Sequence, residues 1–187
     1  MKKQLFIITG NSGAGKNSTA TQLLKELPIL RQLITYTSRA PRGAEVNDVD
    51  YHFISREQFE TKIKNNELLE YATVYDNYYG SSRIDLENVW QENKIPLMVV
   101  DIQGALTFKK LLPNVVTIFI KADNLENLKK RCRQRPMSDE DFSKRWQKVL
   151  SEIERGAECD FTIVNKENEL SQTVEQAKNI ILQASLD

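Results

Sequence analysis

An uninterrupted apolar run, Leu5-Phe6-Ile7-Ile8-Thr9, ends on Gly10-Asn11-Ser12-Gly13-Ala14-Gly15-Lys16-Asn17-Ser18 and gives way to residues with helical periodicity. This order predicts a buried strand, a tight glycine-rich turn and a helix, which is the first unit of a parallel α/β sheet. The glycines let backbone N–H groups converge on phosphate oxygens. The helix adds the positive end of its dipole, and Lys16 supplies a full charge. The usual loop, Gly-x-x-x-x-Gly-Lys followed by Ser or Thr, carries a hydroxyl after the lysine to hold Mg²⁺. Here that place is Asn17.

A chain of 187 residues is long enough for one domain with a substantial core. Its 26 Lys and Arg equal its 26 Asp and Glu, so no net field draws it to nucleic acid or an acidic membrane, and an anionic ligand must be met by local clusters. The basic start, Met1-Lys2-Lys3-Gln4, is followed by too brief an apolar run for a signal peptide, and no stretch is long enough to span a bilayer. Cys132 and Cys159 have no metal-ligand spacing and read as packed thiols of a reducing compartment, so the expected location is the cytoplasm.

Helical and extended patterns alternate along the chain. After a helix over 18–26, closed by Pro28, residues 35–50 are polar and rich in Pro and Gly. A short strand at 51–54, a helix to about 65 capped by Ser55 and Gln58, and extended pieces at 68–74 and 78–82 follow. Helix 84–91, strand 95–100, helix 103–111 and strand 115–120 resume the alternation. Asp123 and Glu126 predict a cap for a helix to about 135, where Pro136 stops it. A helix over 139–156, a strand at 161–164 and a helix over 170–184 complete the chain. The pattern predicts a parallel-sheet core (about 1–34, 95–125 and 155–187) with a β-rich insertion (about 35–94) and a short helical lid (about 126–154).

Arg39 and Arg42 flank Pro41 in the polar segment and put two guanidinium forks far in sequence from the glycine loop. They are either solvated loop charges or a second phosphate site, which would mean two phosphorylated substrates. His52 lies between Tyr51 and Phe53 with no carboxylate partner evident in the sequence, a weak general base. Arg131 and Arg135 are four apart on one helix and share a face, with Arg145 on the next. Such cations suit phosphoryl transfer, where catalysis is mostly alignment and charge neutralisation.

Thr35-Tyr36-Thr37-Ser38-Arg39-Ala40-Pro41-Arg42-Gly43-Ala44-Glu45-Val46, Asp50-Tyr51-His52-Phe53, Leu69-Glu70-Tyr71-Ala72, Asn77-Tyr78-Tyr79-Gly80-Ser81 and Asp101-Ile102-Gln103-Gly104 follow in that order. Together with the glycine loop this set resembles the guanylate kinases over nearly the whole chain. The resemblance implies a P-loop kinase that uses Mg²⁺ with ATP to phosphorylate GMP, with dGMP as an alternative acceptor and no nucleic-acid or membrane partner. Oligomeric state leaves no mark in the sequence. It also implies residue roles. Residues Gly10 through Ser18, with Asn165 on the adenine side, would bind ATP. Arg39, Arg42, Tyr51 and Tyr79 would hold the GMP phosphate, and Thr35, Glu70, Ser81 and Asp101 would read guanine. Lys16, Arg39, Arg131, Arg135 and Arg145 would act on the transferring phosphoryl group. A carboxylate such as Glu70 suits guanine, whose N1–H and N2 amino groups are donors where adenine has an acceptor.

The chain departs from that family at Asn11, usually Pro, at Asn17, usually Ser or Thr, and at Val99, usually the first Asp of Asp-Ile-Asp. Pro136 also follows Arg135 where glycine is typical. Asn17 and Val99 both bear on Mg²⁺, and an asparagine amide oxygen can still serve as a hard neutral ligand. The expectation is slowed but real transfer. The alternatives are a ribose 1,5-bisphosphate kinase, which has no use for the base-reading carboxylates, and a non-catalytic guanylate-kinase-like binding module, which has no use for Lys16.

Overall fold

In chain order the elements are β1 (Leu5–Gly10), α1 (Lys16–Glu26), β2 (Leu30–Gln32), β3 (Tyr36–Thr37), β4 (His52–Phe53), α2 (Arg56–Lys64), β5 (Leu68–Val74), β6 (Asn77–Ser82), α3 (Arg83–Gln91), β7 (Ile95–Val99), α4 (Ile102–Leu111), β8 (Val115–Ala122), α5 (Leu125–Arg133), α6 (Asp139–Arg155), β9 (Phe161–Asn165) and α7 (Leu170–Ala184). This is a computed structural model; it describes residues 3–74, 76–133 and 138–186, with the backbone alone at 131. Two compact units divide the chain, one of residues 1–30 with 97–187, the other of residues 31–96.

The larger sheet has the order β2-β7-β1-β8-β9. β1 runs parallel to both β7 and β8, and β9 parallel to β8. Every residue of β1 is buried, which is why its sequence reads as a continuous apolar run rather than an alternating one. Burial of Leu5, Phe6, Ile7 and Ile8 is worth roughly 1.5–3 kcal/mol per side chain. α4 lies over β1 and β8, and α1 packs against α7.

The second unit carries a sheet of order β4-β3-β6-β5. β5 and β6 form an antiparallel pair, and Asp76 beside their turn has a left-handed φ of 64°. α2 begins in a full capping box, Ser55 with Gln58, and sends fully buried Phe59 onto the Tyr78 ring at 5.1 Å.

Several boundaries differ from the sequence expectation. β2 and β3 are three and two residues long, too short to leave a periodic signature in a polar stretch. α1 starts at Lys16, inside the glycine motif, because left-handed Gly15 (φ 98°) is its N-cap. The cap of α5 is Asn124 rather than Asp123: its Oδ1 accepts the Glu126 N–H at 2.7 Å, while Asp123 accepts the Glu167 N–H. Pro136 lies outside the described residues.

Candidate active site

The glycine loop leaves β1 at Gly10, whose φ of 140° and close approach to β8 exclude a side chain. A Cβ there would sit 2.1 Å from the Ile120 carbonyl oxygen. Gly13 (φ 85°) and Gly15 (φ 98°) complete the curl. Lys16 folds back over it, its Nζ donating to the carbonyls of Gly10 at 2.6 Å and Asn11 at 2.9 Å. Asn17 and Ser18 stand exposed in the first turn of α1.

Among the described residues, contacts from several elements hold this loop from outside, one of them the Cys132 thiol of α5, which donates to the Ser12 carbonyl at 3.2 Å. Asn165, buried at the end of β9, donates from Nδ2 to the Ala14 carbonyl (2.8 Å) and accepts the Thr173 hydroxyl at Oδ1 (2.9 Å). Asn11, fully buried, donates to the Val149 carbonyl of α6 at 2.9 Å, and its Oδ1 has no partner among the described residues. Arg145, also on α6, donates to Ser12 Oγ at 2.7 Å. The departure at position 11 therefore has a structural use: where proline has no amide to give, asparagine ties the loop to α6.

α6 also brings acid and base together beside the loop. Lys148 Nζ lies 3.5 Å from Asp101 Oδ2 and 3.9 Å from Glu152 Oε1. Asp101 is the N-cap of α4, its Oδ1 accepting the Gly104 N–H at 2.9 Å. Glu152 is nearly buried, and desolvation pushes its carboxyl above the ordinary range even though Lys148, Lys16 and Arg145 pull the other way. No reading of the sequence singled out Glu152 or Lys148: four apart on α6, they read as an ordinary helix-surface pair until Asp101 of another element joins them. The side chain of Arg131 and all of Arg135 lie outside the described residues, so the face they were expected to share is not described.

In the second unit, the structure gathers two of the expected residues, Tyr51 and Tyr79, around the guanidinium of a third, Arg39. Arg39 is buried, its Nε 3.2 Å from the Tyr79 hydroxyl and its Cζ 5.1 Å from the Tyr51 ring centroid. Tyr51 and Tyr79 meet edge-on at 6.1 Å, and burial pushes the Tyr51 hydroxyl pKa up. Arg42 is exposed on the same loop. Glu45, unnoticed as a functional residue in the sequence, grips Arg39 with both carboxylate oxygens, at 2.6 and 2.7 Å.

On the neighbouring strands, Glu70 and Ser81 are cross-strand partners, with the Ser81 hydroxyl donating to Glu70 Oε1 at 3.0 Å. Ser81 and Tyr79 alternate with Gly80 on β6 and so share a face, about 7 Å apart along the strand. The carboxylate pair and the arginine cluster thus belong to one surface. Thr35 is half-buried just before β3, its carbonyl accepting the His52 N–H at 2.9 Å. The expectation that His52 lacks a carboxylate is overturned: its Nδ1 is 2.6 Å from Asp48 Oδ1, because left-handed Asp48 (φ 62°) turns the chain back. The ring also stacks on Tyr36 at 4.5 Å, and this double anchoring reads as a brace for β3 and β4.

For a divalent cation, the nearby oxygen donors are the exposed Asn17 amide and the Asp101 carboxylate. Among the described residues no group of three or more His, Cys, Asp or Glu converges as a metal cage. Such a sparse set fits Mg²⁺ held chiefly by phosphate oxygens and water, its usual habit beside nucleotides, and does not fit a resident structural ion.

The family model described as "Guanylate kinase" matches residues 2–184. A guanylate kinase of Fusobacterium nucleatum is 39% identical over 179 residues, covering 95% of this chain and 93% of that protein. One of Rickettsia bellii is 38% identical over 183 residues, covering 97% and 95%. The crystal structure of guanylate kinase from Anaplasma phagocytophilum superposes with a TM-score of 0.80 at 27% identity, covering 98% of this chain and 87% of that one.

Proposed function

The chain belongs to the guanylate kinase family and phosphorylates GMP with ATP, and we propose that it does so with the two residue clusters described above. The observation that carries the acceptor assignment is the Glu70–Ser81 pair, a carboxylate oriented by a hydroxyl on the same strand face as Tyr79. A carboxylate accepts from the N1–H and N2 amino donors of guanine and opposes the N1 acceptor of adenine. A ribose bisphosphate offers such a pair nothing to read, and a non-catalytic module leaves Lys16 without employment.

The glycine loop and the N-terminus of α1 take the ATP phosphates, with Lys16 leaving its carbonyl partners to bind the terminal ones. Asn165, with both ends of its amide engaged, contributes to ATP binding by bracing the loop. Arg145, pinned to Ser12, and the lid arginines Arg131 and Arg135 counter the charge that spreads over the transferring group. Arg39, Arg42, Tyr51 and Tyr79 hold the acceptor phosphate. A GMP phosphate oxygen forms the new bond to the γ-phosphorus, the bond to the bridging oxygen breaks, and GDP and ADP leave. Mg²⁺, when bound with ATP, supplies charge neutralisation between the phosphates, and Asn17 and Asp101 are the residues that would meet it, directly or through water. Thr35 joins Glu70 and Ser81 in reading guanine, a role that the family resemblance also gives to Asp101. The proposed location is the cytoplasm, in keeping with Cys132 and Cys159 standing as thiols rather than as a disulfide. Among the described residues, no helix is long and apolar enough to cross a membrane.

A coupled ADP-release assay offering GMP, AMP and ribose 1,5-bisphosphate tests the reading. Turnover with GMP and not AMP is expected. Turnover with AMP in preference to GMP, or with no acceptor at all, overturns it.

A further inference from the structure

Glu45 fills the fork of the very arginine expected to hold the acceptor phosphate, and the count of hydrogen bonds shows what that implies. Arg39 has five N–H donors. Nε donates to the Tyr79 hydroxyl, Nη1 to the Ala40 carbonyl at 2.8 Å and to Glu45 Oε2, and Nη2 to Glu45 Oε1. Among the described residues at most one donor, on Nη2, remains, and the Tyr51 hydroxyl also interacts with the guanidinium. Arg39 therefore cannot grip a phosphate as a bidentate fork while this pair stands. The guanidinium is also 7% exposed and lies under the Tyr51 and Phe53 rings, so losing its partner would leave a nearly buried charge uncompensated. The same Glu45 oxygen that meets Nη1 accepts the backbone N–H of Arg42 at 2.7 Å, fixing the turn from which the exposed Arg42 side chain projects.

We propose that Glu45 is the positioning residue of the acceptor site: its carboxylate locks Arg39 as a fixed cation with at most one donor to spare and sets the Arg42 backbone, leaving Arg42 as the open fork. This rests on the reading that the Arg39–Tyr79 cluster takes the phosphate of GMP. The two arginines, similar in sequence, then have different work. The Arg39 pair is preformed, so its ordering is complete before the nucleotide arrives, whereas Arg42 is ordered on binding. Two facts favour a lasting brace over a placeholder that steps aside for substrate: the carboxylate makes three charge-assisted or backbone bonds at once, and hydrogen bonding to Arg39 holds its pKa below the ordinary carboxylate range, so it stays ionised.

The two roles give opposite signs for Glu45→Gln. A brace predicts a KM for GMP raised about tenfold, with kcat and the KM for ATP within about twofold of wild type. A placeholder predicts a lowered KM for GMP, because a competing carboxylate has gone. Glu45→Asp keeps the charge but loses the two-point reach and should lie between. In an Arg39→Ala background, Glu45→Gln should raise the KM for GMP by much less than in the wild type, since the part of the brace that acts through Arg39 is already gone and the glutamine oxygen can still accept the Arg42 N–H. Circular-dichroism melts of each variant identify those that fold, and the Asp substitution carries the test if the Gln variant does not. An unchanged or lowered KM for GMP, or the same increment with and without Arg39, overturns the proposal while wild-type turnover of GMP leaves the kinase reading intact. Absence of GMP turnover by the wild-type protein overturns both.

Discussion

Asn165, at the end of β9, holds the Ala14 carbonyl of the glycine loop at 2.8 Å while its other amide atom accepts from Thr173. Both contacts are buried, so Asn165→Ala strands a carbonyl and a hydroxyl at once. It should lower stability by about 1–3 kcal/mol. Thermal unfolding checks the first effect. A KM for ATP raised several-fold at unchanged KM for GMP would be the kinetic counterpart.

Glu70→Gln tests the base reading. The amide presents a donor where guanine also presents donors, so one charge-assisted contact becomes a repulsive one. Loss of about 1.5–3 kcal/mol corresponds to a fall in kcat/KM for GMP of roughly ten- to a hundredfold. The KM for ATP should stay near wild type, which steady-state kinetics in both substrates would establish.

Asn17→Ser restores the hydroxyl that most such loops carry. The expected result is a higher rate at limiting Mg²⁺ and a concentration for half-maximal rate lowered by about tenfold, read from a Mg²⁺ titration at fixed ATP. Unchanged rate and Mg²⁺ dependence would show that the asparagine is a neutral replacement.

Glu152 gives a pH signature with a definite sign. Its carboxyl is raised chiefly by burial, so it favours the folded state fully below the ordinary carboxylate range, and that contribution is lost as pH rises through the raised value. Glu152→Gln removes the penalty of ionising in place. Denaturant melts should find the variant gaining on wild type as the pH climbs from 4 to 8, with the two converging at the acid end. A constant difference across that range would exclude the linkage.

What could be read in the sequence was local. The glycine loop declares itself because nine consecutive residues form it, and the capping box of α2 because Ser55 and Gln58 are three apart. The strand that holds Glu70 was legible by its β-formers, although its pairing with Ser81 needed the register of a hairpin. Arg145 and Ser12, or Asn11 and Val149, meet only through the tertiary fold, and nothing in either segment marks the other. The carboxylates at 45, 48 and 152 escaped notice for a related reason. Glu45 and Asp48 are ordinary acidic residues until the loop turns them onto Arg39 and His52, and Glu152, four residues from Lys148 on one helix, is an ordinary helix pair until Asp101 comes beside it.

The strand order has a kinetic consequence. β1 precedes β7 and β8 in the chain by some ninety residues or more, yet these are its partners on either side, with Leu5 opposite Val115. The apolar β1 segment stays without a strand partner until β7, about halfway along these 187 residues, has been made, and without its second partner until β8 follows. Meanwhile the hairpin of β5 and β6 joins neighbouring stretches and closes a short loop, so residues 31–96 can organise first. During synthesis the unit that carries the Arg39 and Glu70 clusters is thereby free to take shape before the unit that carries the glycine loop, and β1 is the segment most in need of protection from aggregation while it waits.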